Sequence, residues 1–314
     1  MKKSTLIILT ILGVGMIAAG VLVSHLFDES YTTSGDYAVL GDYPAAEITE
    51  VRVRLQGLSL SVYEHNDRKQ LEAAGYGRAV NDVEIRLEDG VLFLTENGGF
   101  SSLPTNRDES VTLWMPRHFE GLLTLSTDSG EISLNGVGMT GMSASLTTDS
   151  GEVSLYGCEF DDLQVRSDSG EIWGNSLAVD RAAFSSDSGE IRLGNEGVDG
   201  REVALTTVSG DVSVTGGETE TLSIQTGSGD VWINETAAAL LAVRTDSGEV
   251  YLSAGECGEV SVETDSGSVH SDALRTDRLA IHTDSGDIGG SVSGRSGEPE
   301  VEITTNSGDT FLDY

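Results

Sequence analysis

The amino-acid sequence predicts an all-β protein built around a single-stranded parallel β-helix, a solenoid of about ten rungs of 19–22 residues each. Two observations predict this fold. A Ser-Gly pair recurs from residue 129 to the end, with its glycines spaced 19 to 22 residues apart, and apolar residues alternate on both sides of it. A period near 20 residues is typical of a solenoid, whereas a propeller blade takes about twice that length.

The recurring glycine is expected to mark a corner of each rung. Every copy has Thr or Ser three residues before the glycine, and by parity this hydroxyl points inward. Stacked rungs are therefore expected to form a ladder of hydroxyls that hydrogen-bond to one another at the corner. The glycine is expected to supply a positive φ, and the preceding Asp or Ser to bond local backbone amides. The predicted corner glycines are Gly130, Gly151, Gly170, Gly189, Gly210, Gly229, Gly248, Gly267, Gly286 and Gly308.

The alternation predicts two short, half-buried strands in each rung. Apolar residues stand seven and five residues before the glycine and two and four after it, as in Leu123, Leu125, Ile132 and Leu134. A three-residue hairpin loop would turn the two apolar faces apart, and a two-residue loop would set Asp directly against Glu. A coil corner avoids both problems, so each strand is expected to pair in parallel with its equivalent in the next rung.

The sequence divides into four segments: a transmembrane signal-anchor helix (1–27), a tether (28–45), an N-terminal β capping section (46–120) and the β-helix repeats (121–314). Residues 6–23 carry no charge and are long enough to span a bilayer. Lys2 and Lys3 precede this run and acids follow it. This asymmetry predicts a single-pass protein of the cell membrane, with its N-terminus inside the cell and its repeats outside. A cleaved signal peptide is the alternative, since Ala18-Ala19-Gly20 can imitate a cleavage site.

Composition excludes several classes of protein. The chain has 52 acidic and 18 basic residues, a net charge of −34, so a nucleic-acid partner is not expected. The 38% of hydrophobic residues and their strict patterning exclude a disordered acidic chain. Cys158 and Cys257 lie five rungs apart at inward parity, which predicts small core residues and not a disulfide.

Acids recur two residues before and one residue after the corner glycine. Stacked like charges would repel by on the order of 1 kcal/mol per neighbouring pair, and salt, hydrogen bonds or divalent cations could offset this. Calcium favours clustered carboxylates, so a calcium ladder is one hypothesis and a solvated acidic face is the other. The candidate calcium ligands are Asp128, Glu131, Asp149, Glu152, Asp168, Glu171, Asp187, Glu190, Asp246 and Glu249. No other cofactor is expected.

The sequence predicts no catalytic residues. Acids repeated in every rung do not single out an acid and a base, and the common hydrolase and phosphate-loop motifs are absent from the sequence. His270 and His282 are predicted on the solvated outer face. Trp173, Trp232 and Tyr251 share outward parity and could stack on a glycan, although scattered exposed aromatics are common.

The order of these features resembles a known family. An N-terminal anchor, an irregular β section ending in Val111-Thr112-Leu113-Trp114-Met115-Pro116, and Ser-Gly-Asp/Glu repeats resemble the DUF4097 family, the β-strand-repeat "putative adhesin" proteins of bacterial envelopes. The resemblance covers residues 46–314. It implies a β-helical extracytoplasmic domain with no established catalytic residues, and by analogy with members beside envelope-stress regulators it implies a sensing role.

The expected function is that of a membrane-anchored extracytoplasmic surface protein, non-catalytic, with an adhesive, structural or envelope-sensing role and a surface glycan or protein as ligand. A self-assembling scaffold is the first alternative, because no cap is visible after the last rung, Thr310 to Tyr314, and an open rung invites edge pairing. A carbohydrate-acting β-helix enzyme is the second, and it would need a cleft of acids and bases that breaks the repeat.

Overall fold

The computed structural model describes residues 37–65, 69–77, 79–97, 109–117, 119–138 and 141–314. Within these residues the chain forms twenty-four β-strands, with one 3-10 turn (Ala45–Glu47) and one single-turn helix (Ala79–Asp82). The all-β solenoid of about ten turns is therefore confirmed. The strands are β1 (Tyr37–Pro44), β2 (Glu50–Leu55), β3 (Ser59–His65), β4 (Gln70–Tyr76), β5 (Val83–Glu88), β6 (Val91–Glu96), β7 (Ser110–Pro116), β8 (Leu122–Thr127), β9 (Ile132–Asn135), β10 (Ser143–Thr148), β11 (Val153–Tyr156), β12 (Glu159–Ser167), β13 (Ile172–Ser186), β14 (Ile191–Thr207), β15 (Val212–Thr215), β16 (Glu218–Thr226), β17 (Val231–Asn234), β18 (Ala237–Thr245), β19 (Val250–Ser253), β20 (Glu256–Thr264), β21 (Val269–Ser285), β22 (Ile288–Ser293), β23 (Glu300–Ser307) and β24 (Thr310–Asp313).

Each rung has a first side before the Ser-Gly corner and a second side after it. On the first side Leu125 of β8 pairs in parallel with Leu146 of β10, and on the second side Ile132 of β9 pairs with Val153 of β11. The same register continues from rung to rung. Side chains at equivalent repeat positions therefore lie on the same face, and the alternating apolar residues form one continuous buried core.

The regular rungs also have a third, shorter side, which pairs in parallel with the same side of the next rung. The sequence analysis does not predict this third side. Phe160 pairs with Val179, and Ala238 pairs with Cys257. All four side chains are buried. The variable part of each repeat is thus a wall of the solenoid and not a loop outside it.

The corner glycines do not have the positive φ that the sequence analysis predicts. Positive φ angles occur six residues later, where the second side ends, and several of those residues are not glycine. The residues with positive φ at that turn are Gly136, Gly157, Ser176, Asn195, Gly216, Glu235, Ala254 and Ala273.

The corner glycine is needed because two backbones approach closely there. A Cβ on Gly229 would lie 2.5 Å from the carbonyl carbon of Gly210 in the preceding rung and would overlap its oxygen. From Gly151 to Gly308, every corner glycine meets the carbonyl of the corner glycine before it in this way. Gly130 meets the carbonyl of Leu58 instead, at the equivalent corner of the capping section.

The Thr or Ser three residues before the glycine stabilises the corner, as predicted, although through a bond within its own rung. In eight of the described rungs its buried hydroxyl accepts a hydrogen bond from the glycine N–H at 2.7–3.0 Å. The hydroxyls of Thr226 and Thr283 also donate to the corner glycine carbonyl of the preceding rung, at 3.2 and 3.3 Å. These bonds satisfy groups that would otherwise be buried without a partner.

The serine just before the corner glycine bonds to the neighbouring rung and not to a local amide. The Ser169 N–H donates to the Asp149 carbonyl at 2.9 Å, and its hydroxyl donates to the same oxygen at 3.2 Å. Ser150 and Ser188 bond to the preceding rung in the same manner.

The N-terminal section covers one end of the solenoid. β2 and β3 form a rung that stacks in parallel against β8 and β9, and β6 and β7 stack on its other face. β5 then pairs antiparallel with β6, β4 with β7, and β1 with β4. Tyr37–Pro44, which the sequence analysis assigns to the tether, form β1, where Tyr43 packs against the core.

A buried carboxylate replaces the corner contacts in this section. Glu96 accepts hydrogen bonds from the backbone N–H groups of Gln56, Gly57 and Leu58 at 2.7, 3.1 and 3.3 Å. These three amides form the corner between β2 and β3. Bonds to a charged acceptor are stronger than neutral ones, so Glu96 fixes the corner on which the regular rungs stack.

The segment around Gly90 forms a hairpin, unlike the coil corners of the regular rungs. β5 and β6 are antiparallel, and the two residues between them, Asp89 and Gly90, have φ values of 49° and 82°. Positive φ at both positions and an Asp-Gly sequence are typical of the tight two-residue hairpin turn.

The predicted transmembrane helix, residues 1–27, lies outside the described residues. Among the residues that the structure describes, no helix has the length and apolar character needed to cross a membrane.

Adding a methyl group at a corner should separate two rungs. We expect Gly229→Ala to lower the free energy of unfolding by about 3 kcal/mol, because its Cβ meets a fixed backbone carbonyl and not a movable side chain. Urea denaturation followed by far-UV circular dichroism measures this effect.

Gly194→Ala is the matched control, since its Cβ would come no closer than 4.0 Å to Trp173. We expect that control to change stability by less than about 1 kcal/mol. Equal destabilisation by the two variants would contradict the close-approach explanation.

Candidate functional site

The second side of each rung presents three outward columns to solvent. Residues one, three and five positions after the corner glycine point outward, with the buried Asn175 as an exception, because the positions between them are buried in all but the last two rungs. We call the middle set the ring column, because several of its members are aromatic. Its members are Ser133, Ser154, Trp173, Arg192, Ser213, Trp232, Tyr251, His270, Gly289 and Phe311.

Three consecutive members of the ring column form a stack. Trp232 and Tyr251 have ring centroids 6.0 Å apart and planes inclined by only 3°, and Tyr251 and His270 are 5.0 Å apart and inclined by 18°. The parallel pairing of β17, β19 and β21 produces this arrangement, because it places the three residues side by side. Repeat parity predicts a shared outward face for these three residues, and the structure adds that their rings contact each other.

Glu249, in the outward column next to the stack, orients two of its rings. The Tyr251 hydroxyl donates a hydrogen bond to Glu249, and the His270 Nε2 lies 4.0 Å from the same carboxylate. The hydrogen bond to Glu249 raises the pKa of Tyr251 above its ordinary value. A phenol is already protonated at physiological pH, so the Tyr251 hydroxyl keeps its donated bond.

The stack borders a shallow groove of about 840 Å³. Gly289 follows His270 in the ring column, and Phe311 follows Gly289, so the column lacks one ring between two others. Phe311 is 69% exposed. The groove thus has aromatic side chains on both sides of a position that has no side chain.

Polar residues line the rest of the groove. Asp287 lies in the outward column on one side of the rings, and Asn234, Ser253 and Asp272 lie in the outward column on the other. Carboxylates accept hydrogen bonds, whereas hydroxyl and amide groups both donate and accept them. The groove therefore combines flat apolar surfaces with hydrogen-bonding groups on each flank.

The repeated acids form exposed columns along the solenoid, and local contacts offset much of their repulsion. Arg192 lies 3.2 Å from Glu171 and 2.6 Å from Glu190, and these contacts raise the pKa of the arginine. Elsewhere, the carboxylates of Asp211 and Asp230 accept the backbone N–H of the next rung at 2.9 and 2.8 Å. Arginine side chains and corner amides are thus two sources of compensation beside the cation of the calcium hypothesis.

The structure brings the ten candidate calcium ligands into stacked columns but not into a chelating group. Within the residues described, no three or more His, Cys, Asp or Glu side chains are grouped so as to hold a metal ion. Structural calcium stays a hypothesis to be tested.

The remaining predicted residues lie where parity places them. Cys158 and Cys257 are buried free thiols, and burial raises the pKa of Cys158 to about 11. His282 is exposed, 3.7 Å from Asp284. Trp173 occupies the ring column but lies next to Arg192 and Ser154, apart from the aromatic stack.

Calcium and sodium should have similar effects on the stability of this chain. At matched ionic strength, we expect both salts to raise the melting temperature by a similar small amount, because both screen the stacked acids. Thermal unfolding of the full-length chain by circular dichroism measures this. A large rise with millimolar calcium alone would show that the acid columns bind the metal.

Comparison with solved structures finds several proteins of low sequence identity. A "putative adhesin" from Bacteroides fragilis is 14% identical, with a TM-score of 0.31 and coverage of 90% of this chain and 98% of that one. A "putative lipid binding protein" from Parabacteroides distasonis is 15% identical, with a TM-score of 0.41 and coverage of 88% and 97%. A "putative cell adhesion protein" from Clostridium sporogenes is 11% identical, with a TM-score of 0.31 and coverage of 59% and 98%.

Comparison with curated proteins gives no match. The sequence does match the Toastrack DUF4097 family, over residues 62–214 and 183–314. Together these two matches span the regular rungs and most of the capping section, which agrees with the resemblance carried by the repeats. The chain belongs to the Toastrack DUF4097 family.

Proposed function

We propose that this chain is a non-catalytic adhesive module displayed on the outside of a cell. The observation that carries the proposal is the outer wall of the solenoid, where the same three positions of each rung form long solvent-facing columns. Such a wall offers an extended surface for a ligand, which is how solenoid proteins commonly bind. The names of the similar structures, two of which refer to adhesion, are compatible with this role.

A membrane anchor supports the same proposal. The uncharged run at residues 6–23, with lysines before it and acids after it, has the length and charge asymmetry of a signal-anchor helix. In this orientation the solenoid lies outside the membrane. Its strong negative charge would keep neighbouring copies apart and their outer walls accessible.

The groove acids favour binding over catalysis. A glycosidase of the usual kind needs one acid with a raised pKa and a second carboxylate at a defined separation from it. Here Glu249 and Asp287 occupy the same repeat position as Glu131 and Glu152 in rungs far from the groove. An acid that occurs in most rungs is a feature of the whole outer wall and not of a local catalytic site. The stacked rings are what distinguish the groove from the rest of that wall.

Bacteria that express the full-length chain test this function. We expect protease added to intact cells to remove the solenoid, and we expect the cells to attach to surfaces coated with extracellular polysaccharide more than cells without the chain do. A variant with Leu12→Arg and Val14→Arg in the apolar run is the control, because charges at the centre of a spanning helix oppose insertion.

Two results would contradict the proposal. The first is a solenoid that stays protected from protease until the cells are lysed. The second is protease-sensitive display with attachment no greater than that of cells lacking the chain.

A self-assembling scaffold is a second candidate, favoured by the strands at the end opposite the cap. Within the described chain, β23 pairs only with β21 and β24 only with β22, so each has an edge without a β partner. If these edges join two copies, Ile303→Pro should shift the sedimentation coefficient to that of a monomer, because proline removes a backbone donor. A concentration-independent monomer of the parent chain would exclude this candidate.

A further inference from the structure

We propose that the gap above Gly289 is a binding slot for one ring of a neutral oligosaccharide, held between His270 and Phe311. The inference rests on the proposed adhesive function and names the class of ligand. It is carried by the interrupted ring column and by the polar columns on both sides of it.

The spacing of the rungs sets the width of the slot. Neighbouring strands lie about 4.8 Å apart, so His270 and Phe311, two strands apart, are separated by about 9.6 Å. A flat aromatic ring in contact with both walls would need only about 7–8 Å, from two carbon contacts of 3.5–4.0 Å each. A pyranose ring is puckered and carries axial hydrogens, so it is thicker and fills the spacing more completely.

The walls of the slot are suited to sugar C–H groups. His270 is the last ring of the Trp232–Tyr251–His270 stack, and its outer face is turned toward the residue without a side chain. Its side chain is 48% exposed. Aromatic faces carry partial negative charge and attract the weakly positive C–H groups of a sugar ring.

The flanks of the slot supply partners for hydroxyl groups. Asp272 and Ser291 lie on one side, and Asp287 on the other, and all three line the groove. The Asp272 carboxylate can accept hydrogen bonds from two neighbouring hydroxyls of one ring. Asp287 already accepts the Asp309 N–H at 2.9 Å and offers its other oxygen, and Ser291 already accepts the Ala273 N–H at 3.1 Å and can donate its proton. Only a ligand with polar groups around the rim of an apolar face uses both features of the slot.

Charge decides between classes of sugar. The chain has a net charge of −34, and Asp272, Asp287 and Asp313 line the groove, so polyuronates and other anionic glycans are repelled. A neutral oligosaccharide avoids this repulsion. The groove continues along the stack toward Trp232, which leaves room for further sugar units beyond the slot.

Gly289 permits a direct test, because a side chain can be added there without strain. A Cβ at this position would have only the Phe311 carbonyl oxygen near it, at 3.9 Å, and its φ is not in the left-handed region. Gly289→Phe should therefore complete the ring column and fill the slot while leaving the fold intact. Ser154→Phe adds the same ring to the same column, remote from the groove, and is the matched control.

Isothermal titration calorimetry of the full-length chain, in a detergent without a sugar headgroup, tests the slot with cellohexaose, maltohexaose and chitohexaose as probes. We expect at least one to bind with a dissociation constant of about 1 mM or below, equally at low and high sodium chloride. Gly289→Phe should weaken binding by at least about tenfold, and His270→Ala should also weaken it. Ser154→Phe should leave it unchanged, and all variants should keep the parent melting temperature.

Three results would contradict the proposal that this slot binds a sugar ring. They are the absence of binding by all three probes, equal binding by Gly289→Phe and the parent, and salt-sensitive binding of an oligolysine peptide in place of the sugars. If the solenoid is displayed and cells attach but no probe binds, the slot is wrong and the adhesive function stands. If a probe binds in the slot but the solenoid is not displayed outside the cell, the slot stands and the proposed function fails.

Discussion

Backbone packs directly against backbone at the Ser-Gly corner, and the rest of the solenoid depends on this contact. The corner glycine of one rung lies on the carbonyl of the glycine before it, at a distance that excludes any Cβ. That approach lets the strands on both sides pair in parallel without a change of register. In eight of the described rungs the buried Thr or Ser hydroxyl then accepts a hydrogen bond from the glycine N–H, so the close approach does not leave that amide unpaired.

Repeat period and parity were enough to predict the strands and their parallel pairing. The period of two shows which side chains of a strand face the core, and the period near twenty shows which strand of the next rung it pairs with. The reason for the corner glycine could not be predicted, since positive φ and close approach both require glycine. The turn that does have positive φ carries Glu235 and Ala254, so its sequence signal is weak. Outward parity places Trp232, Tyr251 and His270 on one face, but a shared face does not by itself establish that their rings contact each other.

The acidic surface and the aromatic groove arise from the same geometry. Equivalent positions of neighbouring rungs lie about 4.8 Å apart, so side chains of the same kind are brought next to each other along the solenoid. The resulting interaction is repulsive for acids and attractive for aromatic rings. At the corner this produces columns of carboxylates, which Arg192 and backbone amides partly neutralise. In the ring column it produces a stack of π-systems from residues that would make no contact on a less regular surface.

The position of β2 and β3 has a consequence for how the chain folds. This first rung lies between β6 and β7 on one side and β8 and β9 on the other, all of which follow it in the sequence. Its hydrogen bonds therefore close loops of roughly 40 to 75 residues, whereas each later rung docks on a neighbour about 20 residues away. Closing those loops costs more conformational entropy than docking a regular rung, so the capping section carries the largest loop-closure cost in the fold.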